Sequence, residues 1–152
     1  MKFLRICLSA MLMSATMVTT AHDQGDTIEA AIKYRQSGFQ MISWHVKPMG
    51  AMIQGKTDWD LALFQKHANA IASLAPLPIN GFIPDSDMGD THAKPEIWEN
   101  WEDFNAKMNA LIQETKTLAE VASNGNQDAI KEQFIKTAGT CKSCHKKYRE
   151  KM

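Results

Sequence analysis

Two cysteines and a histidine lie close together near the carboxyl end of the chain. They belong to Cys141-Lys142-Ser143-Cys144-His145, which matches the C-x-x-C-H attachment signature of c-type haem. Two thiols at this spacing can each add to one vinyl group of the porphyrin, and the adjacent histidine can then bind the iron. Cys141 and His145 are four residues apart, so a helix would place both on one face. The motif therefore predicts one covalently bound haem c per chain, with His145 as the iron ligand.

Cysteine pairs also occur in other kinds of site. A thiol–disulfide redox centre more often opens a helix in an α/β fold, whereas this motif lies near the end of the last helical pattern. A structural zinc site needs two more ligands, and further histidines stand singly at His45, His67 and His92. A structural disulfide would leave His145 without a role. Haem attachment is the interpretation we adopt, with zinc and redox chemistry as the alternatives.

The first residues are typical of an export signal. Two basic residues precede an uncharged, mostly apolar run from Ile6 to Val18, and small residues follow it up to Ala21. We therefore expect a secretory signal peptide over residues 1–21 and a folded domain over residues 22–152. A membrane anchor is the alternative, but the run is short for a span and is diluted by Ser and Thr. Because haem is attached to such proteins outside the cytoplasm, we expect a periplasmic protein of the Gram-negative type, free of the membrane after cleavage.

The composition of the whole chain conceals that of the exported domain. The 152 residues include 17 Lys+Arg and 17 Asp+Glu, and 44% of them are apolar. Removing Lys2 and Arg5 leaves 15 basic and 17 acidic residues, a net charge of −2. A domain without a basic excess is not expected to bind nucleic acid. Of the three cysteines only Cys141 and Cys144 remain, so we expect a single globular domain without a disulfide framework.

Apolar residues recur at helical spacing in four stretches that cover most of this domain. Asp26 fits a capping pattern at the start of the first stretch, and Gly55 marks its end. Pro48 lies inside the stretch, so we expect the helix to kink or divide there. The apolar stripe steps alternately by four and three residues, which is the period of helices packed in bundles. It contains Ile28, Ile32, Arg35, Phe39, Ile42, Val46, Met49 and Ile53.

The second and third helices are separated by a long connection. Residues 61–74 carry the second apolar stripe, and Thr57 or Asp58 is expected to cap that helix. Residues 75–95 contain too many prolines and glycines for a helix, so we predict a loop. Loops of this length in compact domains are usually functional. Pro95 suits the first position of the third helix.

The fourth helix contains the cysteine motif. Asn124-Gly125 ends the third helix, and Asn126 or Asp128 is expected to begin the fourth. The connections between the first and second helices and between the third and fourth are short. Helices joined in this way pack antiparallel, so the chain is predicted to form an all-α, antiparallel four-helix bundle with the haem in its core.

Arg35 occupies a position of the first stripe that periodicity assigns to the core. A buried guanidinium without a partner is unfavourable, so it must bind an acid or reach solvent. A haem carries two propionates, and arginine binds carboxylates through two parallel hydrogen bonds. The alternative is an arginine at the end of the bundle whose stem lies along the core while its head reaches water.

Three segments together resemble one known family. They are Lys33–Ser37 in the first helix, Lys94–Trp98 at the start of the third, and the cysteine motif followed by Tyr148-Arg149. From about Ile28 to Lys151 the chain resembles the cytochrome c′ family, the class II c-type cytochromes. That family consists of four-helix bundles whose haem motif lies near the carboxyl end. The resemblance implies the same fold, thioether bonds to the two cysteines and His145 as the fifth iron ligand.

The resemblance also implies roles for residues outside the cysteine motif. Arg35 and Gln36 match residues at the haem edge, and Arg149 matches a basic residue beside the proximal histidine. Arg149 is also four residues from that histidine, hence on the same helix face. Phe82 and Asp90 belong to the long loop, which surrounds the haem in the family. The full set of expected cofactor-binding residues is Cys141, Cys144, His145, Arg35, Gln36, Phe39, Phe82, Asp90 and Arg149.

Phe39 decides the expected activity. In the family, the residue four after the first-helix arginine faces the vacant side of the iron, and a benzyl group cannot bind a metal. The iron is therefore expected to be five-coordinate or weakly water-ligated, and an apolar site there favours NO and CO. The resemblance thus implies gas binding, with NO scavenging as a role and electron transfer as a further one. Peroxidase-like catalysis is not expected, because it needs a polar acid–base group over the iron.

An alternative is a low-spin relative of this class, in which a sixth ligand closes the iron and the protein only carries electrons. Met41 is the nearest first-helix methionine to Phe39. Two residues correspond to a rotation of about 200° around a helix, so the Met41 side chain is expected to point away from the iron. Met49 is on the stripe but about 15 Å from Phe39 along the helix axis, and His45 is off the stripe.

The implied partners are NO or CO, an unidentified redox protein and a second copy of the chain. Members of the family usually form homodimers through their first two helices. Trp44 and Met52 lie off the core stripe and are candidates for such a contact, although core packing is the commoner role of these residue types.

Overall fold

The computed structural model describes residues 20–151, with side chains from Gln24 onward. The helices of this region are α1 (Thr20–Ile53), α2 (Leu61–Leu74), α3 (Glu96–Glu99), α4 (Trp101–Ser123) and α5 (Gln127–Tyr148), with a 3-10 turn at Pro78–Gly81. The described part of the chain contains no β-strand apart from one isolated bridge between Ala93 and Arg149. The four long helices α1, α2, α4 and α5 confirm the all-α prediction.

The predicted signal peptide lies outside the described residues, apart from its last two positions. Within residues 20–151, none of the helices combines the length and apolar character needed to cross a bilayer.

Two groups of buried side chains hold the bundle together. The first joins all four long helices around Phe64, Ile71 and Leu118. The second joins the long loop to α4 and the end of α5, with Phe82, Phe104 and Tyr148 among its members. Burying each such side chain stabilises the fold by about 1.5–3 kcal/mol. Phe39 of α1 packs against both groups, so it lies where the two parts of the core meet.

Helix α1 differs from its prediction at its start, and at Pro48 one of the two predicted alternatives is excluded. It is already helical at Thr20, the first residue that the structure describes, so the capping pattern at Asp26 does not start the helix. It also continues through Pro48 without dividing, and a kink at Pro48 stays a prediction. Proline removes one backbone hydrogen bond, but the side chains of Met49 and Met52, directly after it, are buried in the first core group. Their packing maintains the helix where propensity alone would end it.

The caps of α2 and α5 are set by short side chains. Asp60, rather than Thr57 or Asp58, caps α2, because its carboxylate accepts a hydrogen bond from the Leu63 amide at 2.9 Å. The choice between Asn126 and Asp128 is settled in favour of Asn126, whose side chain accepts from the Ala129 amide at 3.0 Å. Each cap satisfies an amide that has no partner within its helix.

The third predicted helix is interrupted. Asn100 has φ −124° and ψ 46°, which separates the single turn of α3 from the long α4. Pro95 precedes the first helical residue rather than occupying it. The loop before it contains the 3-10 turn, and a Cβ on Gly81 would lie 2.6 Å from the Ala31 carbonyl oxygen. The loop therefore lies directly against α1, in a contact that only glycine permits.

Candidate functional site

A cavity of about 440 Å³ lies between α1, α4, the end of α5 and the long loop. Its volume is in the range of small-molecule and cofactor sites. Eight of the nine expected cofactor-binding residues line it, although they come from three separate parts of the sequence. They are Arg35, Gln36, Phe39, Phe82, Cys141, Cys144, His145 and Arg149.

Asp90 is the one expected residue that does not line the cavity. Its backbone carbonyl accepts a hydrogen bond of 2.7 Å from the side-chain amide of Gln36. This bond ties the loop to α1, next to Thr91 and His92, which do line the cavity. A cofactor-binding role for Asp90 stays a prediction.

The two cysteines and His145 line one wall from the last turns of α5. Both cysteines are free thiols and are partly buried. Burial raises the pKa of the Cys141 thiol and raises the pKa of the Cys144 thiol to about 11. Reactive redox cysteines have lowered pKa values, so these raised values argue against a thiol–disulfide redox centre. Among the described residues, no group of three His, Cys, Asp or Glu side chains converges on a metal position.

His145 is held in its neutral form. Burial, and secondarily the charge of Arg149, lowers the pKa of the His145 imidazole below its ordinary value. A neutral imidazole keeps a lone pair on one ring nitrogen, as an iron ligand must. The position beside the two thiols therefore suits the role of proximal ligand.

Arg149 lines the cavity from the position directly after α5. Helix α5 ends at Tyr148, and Arg149 is extended, with φ −120° and ψ 135°. Its amide still donates to the His145 carbonyl at 3.1 Å, which is the helical bond between residues four apart, so Arg149 stays beside His145 at the end of the helix. The same segment also pairs with Ala93, since the Lys94 amide donates to the Tyr148 carbonyl at 3.1 Å. Both Ala93 and Arg149 line the cavity, so this pairing joins the long loop to the end of α5 beside it.

Arg35 is buried, with 2% of its surface exposed, so the alternative in which its head reaches solvent is wrong. One terminal nitrogen, Nη1, donates to the Gly81 carbonyl at 2.8 Å and to the Ser86 hydroxyl at 2.7 Å. The other, Nη2, donates to the Ser86 carbonyl at 2.6 Å and to the Thr91 hydroxyl at 3.0 Å. Its guanidinium also lies 4.6 Å from the centre of the Phe82 ring.

These bonds make Arg35 the anchor of the long loop. Burial lowers the pKa of the Arg35 guanidinium to about 10, partly offset by the nearby charge of Asp87, so the group remains cationic at neutral pH. Sequence reasoning marked Arg35 as needing a partner but missed Ser86 and Thr91. Nothing in the composition of the loop distinguishes those two hydroxyls from exposed ones.

Aromatic rings form the wall between the loop and α4. Phe82 packs against Phe104 at 4.7 Å between ring centroids and against Trp98 at 6.0 Å. It meets Phe39 edge-on at 6.3 Å. Phe104 and Met108, which also line the cavity, belong to the apolar stripe of α4. Their periodicity identified them as core residues, but not as the part of the core that faces a cofactor.

Asp103 fixes the ring of Tyr148, which lines the cavity. The Tyr148 hydroxyl donates to the Asp103 carboxylate at 2.6 Å, and the Lys147 ammonium donates to it at 2.9 Å. Both bonds lower the pKa of Asp103, and the bond from Tyr148 has the larger effect. A carboxyl group whose pKa is lower in the folded than in the unfolded state stabilises the fold when it is ionised. For Asp103 this stabilisation is fully present above the unfolded pKa, near 3.8, and it is lost as the pH falls through the folded pKa.

We therefore expect Asp103→Asn to be less stable than the parent at pH 6 and to approach it below about pH 4. The urea midpoints of both proteins, measured between pH 3 and pH 7, check this expectation. Glu102→Gln is the matched control, because it removes an exposed carboxylate one residue away. If the difference in urea midpoint between Asp103→Asn and the parent did not change with pH, the carboxylate would act only by its shape and not by its charge.

The cavity fits a haem by the chemistry of its lining. Two free thiols and a neutral imidazole stand at the C-x-x-C-H spacing on one wall, while aromatic and aliphatic side chains form most of the remainder. Cationic or polar side chains at its border, among them Arg35, Gln36 and Arg149, suit the carboxylates of such a group. When bound, haem supplies an iron centre that can take up electrons and small ligands.

Comparison with known proteins agrees with this chemistry. The family model described as cytochrome C′ matches residues 30–149. Cytochrome c′ of Halomonas halodenitrificans is 36% identical over 127 residues, which cover 80% of this chain and 96% of the relative.

Solved structures give the same result. Cytochrome c prime from Shewanella frigidimarina superposes with a TM-score of 0.80 at 40% identity and covers 82% of this chain and 97% of its own. A nitric oxide complex of a mutant cytochrome c prime from Alcaligenes xylosoxidans has a TM-score of 0.77 at 30% identity, with the same coverage. A cytochrome c′ with an unusual ligand-controlled dimer dissociation has a TM-score of 0.76 at 33% identity, again with that coverage.

Proposed function

The chain belongs to the cytochrome c′ family, and on this basis we propose that it is an exported protein that binds NO and CO at the face of its haem beside Phe39. Haem c is bound covalently through Cys141 and Cys144, as throughout the family. His145 is the proximal ligand in this proposal. The function is gas binding, with NO scavenging as its role and electron transfer as a further capacity, rather than turnover of a substrate.

The observation that carries the proposal is the apolar surface which α1 presents to the cavity. Phe39, Ile42 and Val46 line it together with Ser43, and none of the three apolar side chains has an atom that can bind iron. These three apolar side chains provide no acid–base group for peroxide cleavage. Small neutral diatomic molecules match it best.

The first-helix residues considered as a sixth ligand all lie elsewhere. Met41 is 45% exposed, and Met49 is fully buried in the first core group. His45 is bonded to His67 of α2. None of the three lines the cavity, which supports an iron that remains open on the side of Phe39.

A second candidate function is that of an electron carrier with a methionine ligand. Met108 favours it, because this buried α4 side chain lines the cavity. An absorption spectrum of the ferrous holoprotein with and without CO separates the two candidates. We expect a high-spin spectrum that changes on CO addition. A low-spin spectrum unchanged by CO would overturn gas binding, and its conversion by Met108→Leu would establish the second function.

Phe39→Ala is expected to raise the rate of CO association with the ferrous protein by roughly tenfold or more, since removing about 1.4 kcal/mol of steric barrier has that effect. Stopped-flow mixing of the holoprotein with CO measures the rate. Phe134→Ala is the matched control, because this buried ring belongs to the first core group and does not line the large cavity. Equal rates in parent and Phe39→Ala would mean that another residue covers the vacant side.

The proposal includes a homodimer formed through α1 and α2. Trp44 is 74% exposed and Tyr34 is 45% exposed, so α1 carries large apolar side chains on its surface. Met52 is 7% exposed and packs in the core, so we withdraw it from the contact. Sedimentation equilibrium of the holoprotein measures the assembly. Amino-terminal sequencing of the periplasmic protein tests cleavage after Ala21.

A further inference from the structure

Two histidines meet on the side of the bundle where α1 packs against α2. The Nδ1 atoms of His45 and His67 are 2.9 Å apart, and their ring centroids are 5.2 Å apart. The second distance equals the first plus the distance from each centroid to its own nitrogen, so both nitrogens lie on the line between the rings. This is the geometry of a hydrogen bond from one imidazole to the other. Neither ring lines the haem cavity, so the function proposed above gives the pair no role.

This bond depends on how many protons the two rings carry. Only one of the two Nδ1 atoms can hold a proton, because two N–H groups facing each other at this distance would repel, and so would two lone pairs. A neutral pair meets this condition when one ring donates and the other accepts. A pair with one positive charge meets it as well, and its bond is then charge-assisted. When both rings are imidazolium ions, neither can accept and the bond is broken.

The surroundings of the pair disfavour the second positive charge. Both side chains are partly buried. Burial, followed by the charges of His45 and Lys66, lowers the pKa of His67 below its ordinary value of 6.5. Thus α1 contributes a histidine and α2 a lysine to the electrostatics of the His67 ring, and no carboxylate of the described residues is among the influences on it. The second proton is therefore taken up only in acid, and at the expense of the bond.

We propose that His45 and His67 form a pH-sensitive switch, which fastens α1 to α2 while at most one ring is charged and releases them when both are. The rings stand on separate long helices at the border of the first core group, in which the next residues, Val46 and Ala68, pack. Breaking the bond leaves two like charges facing each other between the helices. The unfolded chain separates those charges, so protonation of the pair favours the release of α1 from α2.

The direction of the pH dependence follows from the lowered pKa of His67. A histidine whose pKa is lower in the folded than in the unfolded state stabilises the fold while it is neutral. This stabilisation is fully present above the unfolded pKa, near 6.5, and it is lost as the pH falls through the folded pKa. The switch is therefore closed at neutral pH and opens in mild acid.

Urea unfolding of the ferric holoprotein at about pH 7.5 and about pH 5 tests the switch by comparison with His67→Asn. An asparagine amide can donate to His45 or accept from it, but it never becomes charged. On going to the lower pH, the folding equilibrium constant of the parent is expected to fall roughly tenfold further than that of His67→Asn, since one proton taken up on unfolding changes it by up to tenfold per pH unit. Because the other titrating groups are common to both proteins, their contributions cancel.

The matched control is His92→Asn, which removes an exposed histidine and is expected to follow the parent at both pH values. An independent measurement on the parent alone is the nuclear magnetic resonance coupling between the two Nδ1 atoms across their hydrogen bond, in holoprotein labelled with ¹⁵N-histidine. The coupling is expected at about pH 7.5 and is expected to vanish at about pH 5. Parallel losses of stability in the parent and His67→Asn, or a coupling that persists in acid, would overturn the proposal.

Discussion

Replacing Cys141 and Cys144 together by serine is expected to abolish covalent haem attachment and, in the haem-free fraction, cooperative unfolding. The physical reason is the volume that the cofactor would leave empty. A cavity of about 440 Å³ is far larger than the voids that a close-packed protein interior tolerates, so the apolar side chains around it would lose their packing partner. Without haem, the second core group therefore has no counterpart to pack against.

Haem staining of the denatured protein measures covalent attachment, and far-ultraviolet circular dichroism in urea measures cooperativity. Cys141→Ser alone is expected to keep one thioether bond and thus an intermediate yield. Ser143→Ala is the matched control inside the motif, because this exposed hydroxyl only donates to the Thr140 carbonyl at 3.0 Å. A haem-free double variant that unfolded as cooperatively as the holoprotein would show that the remaining core suffices.

Replacing Arg35 by methionine is expected to lower the free energy of unfolding by about 3–4 kcal/mol, because hydrogen bonds to a charged group contribute about 1.5–3 kcal/mol each and are not additive. The variant leaves the carbonyls of Gly81 and Ser86 without their donor in a buried place. Detachment of the loop should follow, with faster proteolysis of residues 81–91. The free energy of unfolding of Arg35→Lys is expected to lie between those of the parent and of Arg35→Met, since one ammonium group cannot donate to all four acceptors.

Urea unfolding of the holoprotein and limited proteolysis measure these effects. Lys33→Met is the matched control, since it removes an exposed cation from the same helix. The haem redox potential separates two roles for Arg35. A shifted potential with an intact loop would support contact with a propionate, whereas a released loop at unchanged potential would confine Arg35 to anchoring. A stability equal to that of the Lys33→Met control would contradict both.

The helical pattern was predictable because each long helix carries its own apolar periodicity. Cap positions were not, because Thr57, Asp58 and Asp60 all have the right chemistry within one turn of each other. Only the path of the connection decides which carboxylate reaches a free amide. Pro48 also shows that local sequence is not sufficient. Proline tends to interrupt a helix, but α1 continues through it because Met49 and Met52 pack in the first core group.

The parts of the site that lie close together in the sequence were predictable, and those that come from distant segments were not. Cys141, Cys144 and His145 lie within five consecutive residues, so their spacing alone identified the cofactor. Arg35 was recognisable as a buried charge, but its acceptors come from residues 81–91, about 50 positions away along the chain. The pairing of His45 with His67 has no signal in either helix, because each histidine alone is unremarkable.

The sequence by itself thus determined the haem attachment, the bundle and the family, since motif spacing and helical period are properties of neighbouring residues. The tertiary structure alone decided the loop anchored by Arg35, the cavity bordered by Phe39 and the pairing of Ala93 with Arg149 beside that cavity. It also decided the histidine pair between α1 and α2. Each of these depends on contacts between segments distant in sequence, and such contacts are set by how complete helices pack.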